Sequence, residues 1–248
     1  MTVQDFENLM LSELKKVIES IIEKTPSLPI AVKQGERQGD AISKFLEESF
    51  VKATQGHVYF NDSKASPIGK TKNPYDVETF FRYKHHNELI WIDFKAFNIH
   101  NKDSNADSGT PDKIIKLIKN GNFYLVYVFV FYEGSTNREL LFAERDNSFV
   151  KAYFLKDISP TVRITPANQL QVNFSQPPQY RTREAFINFL AEKKKESFQR
   201  RLDAAKEGFK NIKSGIIYES DSKKNPEMIT INDLLEENKK QENAIKML

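Results

Sequence analysis

The sequence predicts an α/β (α+β) fold, with a central mixed β-sheet flanked by helices. Three observations carry this. Apolar residues recur at three- and four-residue spacing at both ends of the chain. Between those ends lie short segments in which apolar and aromatic residues alternate or run together, bounded by turn residues. One helical segment is interposed among the strands, with further helices after them.

The elements follow in order. Phe6, Leu9, Leu14, Val17, Ile18, Ile21 and Ile22 mark a helix over 3–24, stopped by Thr25-Pro26 and Pro29. A second helix over 38–52 carries Ile42, Phe45, Leu46 and Phe50 on one face. His57–Phe60 reads as a short strand, and 61–74 as a polar loop. Val77–Tyr83 and Glu88–Phe97 read as a hairpin around Lys84-His85-His86-Asn87. A polar loop, 98–109, leads to Thr110-Pro111-Asp112, a good helix start because Pro suits the first turn and Asp the positive helix end. That helix ends at Asn120-Gly121. Strands are expected at 122–132, 138–144, 149–156 and 169–174. Thr182 caps a long charged helix reaching Phe209, and a linker from Ser220 precedes a short helix over 232–247. The expected organisation is one domain over 1–218 and a C-terminal linker and helix over 219–248.

Composition excludes more than it identifies. Hydrophobic residues are 39% of the chain, enough for a buried core, and 37 basic against 34 acidic residues leave a net charge of only +3. Without cysteine there is no disulfide, no thiolate zinc site and no thiol nucleophile. MTVQDFENLML has early acids and no basic stretch before an apolar run, unlike a secretory signal. No segment approaches the roughly 20 apolar residues of a membrane span. A cytoplasmic protein without membrane partners or a nucleotide cofactor is expected.

The chemistry concentrates in 73–99, NPYDVETFFRYKHHNELIWIDFKAFNI. Side chains alternate along a strand, so Asp93 and Lys95 share one face while Ile92, Phe94 and Ala96 share the other. An acid and a lysine in the middle of an apolar strand are costly unless they pair or bind a metal. Asp76 lies on the preceding strand and can approach Asp93. Two carboxylates suit Mg²⁺, a hard cation that takes oxygen ligands, and a lysine beside them suits phosphodiester hydrolysis. The same acid-x-lysine pattern at Asp62-Ser63-Lys64 and Asp221-Ser222-Lys223 falls in polar segments, where it reads as solvated charge. The plainer reading of 93–95 is an ion pair that organises the sheet.

These residues resemble the PD-(D/E)xK nuclease superfamily, and within it the EcoRV- and HincII-like type II restriction endonucleases. LIWIDFKAFNI (89–99) resembles their catalytic strand, GERQGDAISKFL (35–46) the helix before it, and RTREAFINFL (181–190) their C-terminal helical part. The resemblance implies a restriction-endonuclease-like core and Mg²⁺-dependent, site-specific cleavage of double-stranded DNA by a homodimer, as part of a restriction–modification system. It implies Asp76 and Asp93 as metal ligands with the Phe94 carbonyl, and Lys95 as the catalytic lysine. Tyr75 stands between Pro74 and Asp76, where relatives often have proline directly before the acid, so Glu78 remains an alternative on the same face. Glu36 and Glu47 are both candidates for an assisting helical glutamate.

For DNA contact the candidates are Asn98, Asn101, Lys102, Asn105, Ser108 and Thr110 in the loop that leaves the catalytic strand, together with Arg181 and Arg183. Lys193–Lys195, Arg200 and Arg201 read either as a solvated helix face or as backbone contacts. His85-His86, in a turn without a third histidine, reads as solvated. Two other functions fit the same residues: a repair or structure-specific nuclease of the superfamily, and a non-catalytic DNA-binding protein.

Overall fold

A computed structural model describes residues 1–29, 38–67, 74–100, 106–107, 109–121, 123–134, 139–173 and 175–213. The chain divides into two units, Met1–Ser197 and Phe198–Leu248. The first holds the sheet and every site residue discussed below. Of the second, the described residues are the continuation of the last helix, which exposes Phe198, Leu202 and Phe209. The segment 219–248 lies outside the described residues.

Helix α1 is Val3–Lys24, opened by a capping box in which Thr2 and Asp5 satisfy each other's backbone N–H. Strand β1 is Ser27–Pro29 and helix α2 is Gln38–Ala53. Strand β2 is Phe60–Ala65, β3 is Val77–Tyr83, β4 is His86–Asn98 and β5 is Ala106–Asp107. Helix α3 is Pro111–Asn120, with proline in its first turn as expected. Strands β6, β7 and β8 are Tyr124–Gly134, Glu139–Phe142 and Val150–Phe154. Two short strands, β9 (Arg163–Ile164) and β10 (Leu170–Val172), precede helix α4, Arg183–Lys213. Thr182 caps α4 through its hydroxyl, which accepts from Ala185 N at 3.1 Å.

The main sheet runs β1-β7-β6-β4-β3-β2, with β8 also paired to β6. All pairs are antiparallel except β4 with β6, which α3 connects. The mixed sheet flanked by helices is the fold class the sequence predicts. Strand β6 is buried on both faces, which explains its unbroken apolar run. Its Val126, Val128 and Val130 pack with Ile90, Ile92 and Phe94 of β4 against α1 and α2. Its Leu125, Tyr127, Phe129 and Phe131 face the other way, with Ile114 of α3 and Phe186 and Leu190 of α4.

Several local expectations change. The segment after Phe60 is a strand, not a loop, so Asp62-Ser63-Lys64 lies on the edge strand β2. Its apolar alternation is missing because a chain of hydroxyls fills the space beneath it. Thr54 Oγ1 donates to Ser63 Oγ at 2.7 Å, and Ser63 Oγ lies 2.8 Å from Thr79 Oγ1. The register with β3 shifts between Asn61 and Lys64, and Asp62 takes a positive φ of 54° there. Strands β1, β5 and β9 are too short to show any periodicity.

One buried polar cluster ties α1 to the segment before α4. Lys156 Nζ lies 2.9 Å from Glu7 Oε2 and 3.0 Å from Asp157 Oδ1, and donates to Arg181 O at 2.8 Å. Burial raises the pKa of both carboxyls, and Lys156 opposes that rise.

Phe50 is fully buried on α2, with its ring 5.6 Å from Phe60 and 6.4 Å from Phe94. Phe50→Ala is expected to cost about 3–5 kcal/mol, read as a lower urea midpoint. A loss under about 1 kcal/mol would mean that α2 does not pack on β4 as described.

Candidate active site

The site forms where β3 stops and β4 continues. Their pairing ends at Val77 opposite Ile92. The next groups of β4 on that edge are the N–H and carbonyl of Phe94, and no residue of β3 remains to meet them. Asp76 takes that place. Its backbone N donates to Ile92 O at 2.8 Å, and its Oδ2 accepts from Phe94 N at 2.7 Å. Ser66 N donates to Asp76 O at 2.7 Å, which fixes the residue from the β2 side.

Asp93 and Lys95 project from the same face of β4, 2.9 Å apart between Nζ and Oδ1. Their side chains are 15% and 28% exposed, so the pair is set into the surface rather than held out in water. The Asp76 and Asp93 carboxyls lie within hydrogen-bonding reach of each other. Burial raises both pKa values. For Asp93 the result is about 6, with Lys95 pulling it down and the Asp76 charge pushing it up. Asp76 is also raised, against the opposing effects of the Phe94 N–H and Lys95.

Helix α2 supplies the other wall. Gly39, Ser43 and Glu47 recur every four residues and follow the end of β4. A Cβ on Gly39 would stand 3.5 Å from the Ala96 Cβ. Ser43 Oγ reaches the Phe94 carbonyl at 3.4 Å. Glu47 has a raised pKa from burial first and from the Asp76 charge second, which puts it in electrostatic reach of the pair. Glu36 lies outside the described residues. The stripe of small and acidic residues at four-residue spacing in α2 is a signal that sequence reading could have used to find Ser43.

Glu78, the alternative first acid, is committed elsewhere, because its Oε2 accepts from Trp91 Nε1 at 2.9 Å. Asp76, not Glu78, touches β4 beside Asp93.

Of the candidate DNA contacts, Asn101, Lys102, Asn105 and Ser108 lie outside the described residues. Asn98 Oδ1 accepts from His100 N at 2.9 Å and so shapes the turn after β4. Thr110 sits at the N-cap of α3 without a side-chain capping bond. Arg181 Nη1 donates to the Ile158 and Gln179 carbonyls at 2.5 and 3.1 Å. Arg183 Nη2 donates to the Gly121 and Phe123 carbonyls at 2.9 and 2.6 Å. Both guanidinium groups therefore hold the scaffold together. Lys194 pairs with Asp112 of α3, and Lys193 with Glu196 at 3.1 Å.

Two carboxylates and a backbone carbonyl beyond the end of strand pairing form a donor set of hard oxygens that fits Mg²⁺, with the Lys95 ammonium beside it. The raised pKa values point the same way, since a desolvated acid pair lacks the positive charge a divalent ion brings. Among the described residues, no group of three or more His, Asp or Glu stands together as a metal cage. None of their helices is long and apolar enough to cross a membrane.

Comparison with known proteins bears on what this site does. The family model described as SwaI-like, the SwaI restriction endonuclease, matches residues 2–212. A solved NlaIV restriction endonuclease aligns over 78% of this chain and 79% of its own, with 14% identity and a TM-score of 0.42. No curated protein sequence matches.

The acid pair makes a prediction about stability. A carboxyl whose pKa is raised on folding keeps its proton in the folded state while the unfolded chain has released it. Folding stability therefore falls as pH rises from the ordinary aspartate range through about 6, and the full cost is present above that. Metal-free Asp93→Asn is expected to melt about 2–6 °C above the parent at pH 8 and near it at pH 4. An unchanged or lower melting temperature at pH 8 would show that the carboxylates are not in conflict.

Proposed function

The chain belongs to the SwaI-like restriction endonuclease family, and from that premise we propose that it is a type II enzyme of the PD-(D/E)xK kind that cuts double-stranded DNA at a specific site. The observation that supports this best is the meeting of Asp76, Asp93 and Lys95 around the Phe94 backbone, where β4 outruns β3.

In this reading Asp76 and Asp93 hold Mg²⁺ together with the Phe94 carbonyl. The bound ion would polarise the scissile phosphate and lower the pKa of a coordinated water. The chain's own residues supply the rest. Asp76 is held by the Phe94 N–H, which presents one of its oxygens to the strand and leaves the other for the site. Lys95, now paired with Asp93, sits where an ammonium offsets the growing charge of a pentavalent phosphate and orients the attacking water. Glu47, with its pKa raised, is placed on α2 to assist as a proton acceptor or an outer ligand. Ser43 steadies the Phe94 carbonyl.

The substrate in this reading is duplex DNA with a two-fold symmetric recognition site. Such a site has two scissile phosphates related by a two-fold axis, and a homodimer brings one copy of Asp76, Asp93 and Lys95 to each.

Purified protein incubated with unmethylated phage DNA is expected to give discrete bands with Mg²⁺ and none with EDTA. Asp93→Ala is expected to lower cleavage by at least about 10³-fold while still shifting DNA in a binding assay. A smear instead of bands would favour a structure-specific or non-specific nuclease. Undiminished Mg²⁺-dependent cutting by Asp93→Ala would remove the assignment of the site.

A further inference from the structure

The Asp76–Asp93 pair has a mechanical problem. Two desolvated carboxylates repel once both are ionised, and Asp76 stands just before β3 rather than within it. Backbone bonds to Ile92 and Ser66 anchor Asp76 itself, and the chain leading into it has to be held as well. The rings beside it are arranged to do so. The Tyr75 ring lies 4.7 Å from the Trp91 ring at 30°, and Trp91 lies 3.9 Å from Phe123 at 25°. Trp91 and Asp93 share a face of β4, two residues apart, and Tyr75 directly precedes Asp76.

The far end of the stack is fixed as well. Arg183 donates to the Phe123 and Gly121 carbonyls. The Phe123 ring lies so close over Gly121 that a Cβ there would meet it at 2.6 Å. A glycine at 121 is therefore a condition for the ring's position. The indole N–H of the ladder is satisfied by Glu78, the register partner of Trp91 across β3 and β4. Trp91 is thus held above, below and at its edge.

We propose that Trp91 is a positioning residue: clamped between Tyr75 and Phe123 and bonded to Glu78, it sets the register in which Asp76 meets Asp93, with Glu78 acting as its acceptor and not as a metal ligand. This rests on the metal-dependent nuclease reading above. A bound Mg²⁺ would be held by Asp76 and Asp93 together, and the ladder keeps Asp76 where it can share the ion with Asp93. Loosening the ladder raises the Mg²⁺ concentration needed while leaving Asp93 and Lys95 in place on β4.

The test compares Tyr75→Leu, Tyr75→Phe, Glu78→Gln and the parent. One readout is the Mg²⁺ concentration that half-saturates the thermal shift of the free protein. The other is the Mg²⁺ dependence of cleavage, with kcat and KM separated. Tyr75→Leu is expected to raise the half-saturating Mg²⁺ about tenfold and lower kcat, with KM for DNA within about twofold, and Tyr75→Phe to restore both. Glu78→Gln keeps an acceptor oxygen for the indole and is expected to stay within about threefold of the parent. Unchanged Mg²⁺ dependence in Tyr75→Leu would overturn the positioning role. Loss of the metal response in Glu78→Gln would make Glu78 a ligand and overturn the assignment of its carboxylate. A parent that shifts with Mg²⁺ but does not cut DNA would remove the nuclease reading and leave the positioning of the acid pair to the thermal readout. A parent with neither response would overturn both.

Discussion

Two aspartates pressed together out of water are the constraint around which this molecule is arranged. Burial alone already disfavours the charged form of each. Side by side and partly buried, their charged forms are disfavoured, and Asp93 keeps its proton up to a pH of about 6. Lys95, 2.9 Å away, offsets part of that cost but brings only one positive charge to two carboxylates. A fold that retains such a pair gives up stability at that point.

The sheet makes the pair possible because its two faces do different work. On β4, Ile90, Ile92 and Phe94 are buried against α1 and α2, which anchors the strand. Asp93 and Lys95 occupy the opposite face between the aromatic side chains of Trp91 and Phe97. The parallel partner β6, buried on both sides, keeps β4 straight for nine paired residues from Ile90 to Asn98. The antiparallel partner β3 stops earlier. That mismatch in length leaves the Phe94 N–H and carbonyl without a strand to face, and Asp76, Ser43 and Glu47 gather there. A two-stranded ladder of equal length would have consumed those backbone groups in hydrogen bonds.

The supports around the site are polar and aromatic rather than aliphatic. Arg181 and Arg183, at the start of α4, are absorbed into backbone carbonyls of the segments they pack on. The Lys156 cluster reaches from there to Glu7 on α1, so removing Lys156 would leave two buried carboxyls without their cation. The start of α4 is thereby joined to the core on one side through Arg181 and to the aromatic ladder on the other through Arg183.

The sequence alone determined the helices α1, α2, α3 and α4, the hairpin of β3 and β4, and the common face of Asp93 and Lys95. Those are local matters, set by spacing, by capping residues such as Thr182 and Pro111, and by the two-residue repeat of a strand. Strand β2 escaped because a bulged edge strand over a hydroxyl chain has no apolar alternation, and β1, β5 and β9 because two or three residues carry no period. The choice of Asp76 over Glu78 belonged to the tertiary structure. The two stand two residues apart on one face, but β3 begins between them at Val77 and the indole of Trp91 claims Glu78. Arg181 and Arg183 were equally undecidable from residue type, since a guanidinium binds a phosphate and a backbone carbonyl with the same donors. The placement of Glu47 beside the pair likewise depended on how α2 lies along β4, a packing relation between residues far apart in the chain.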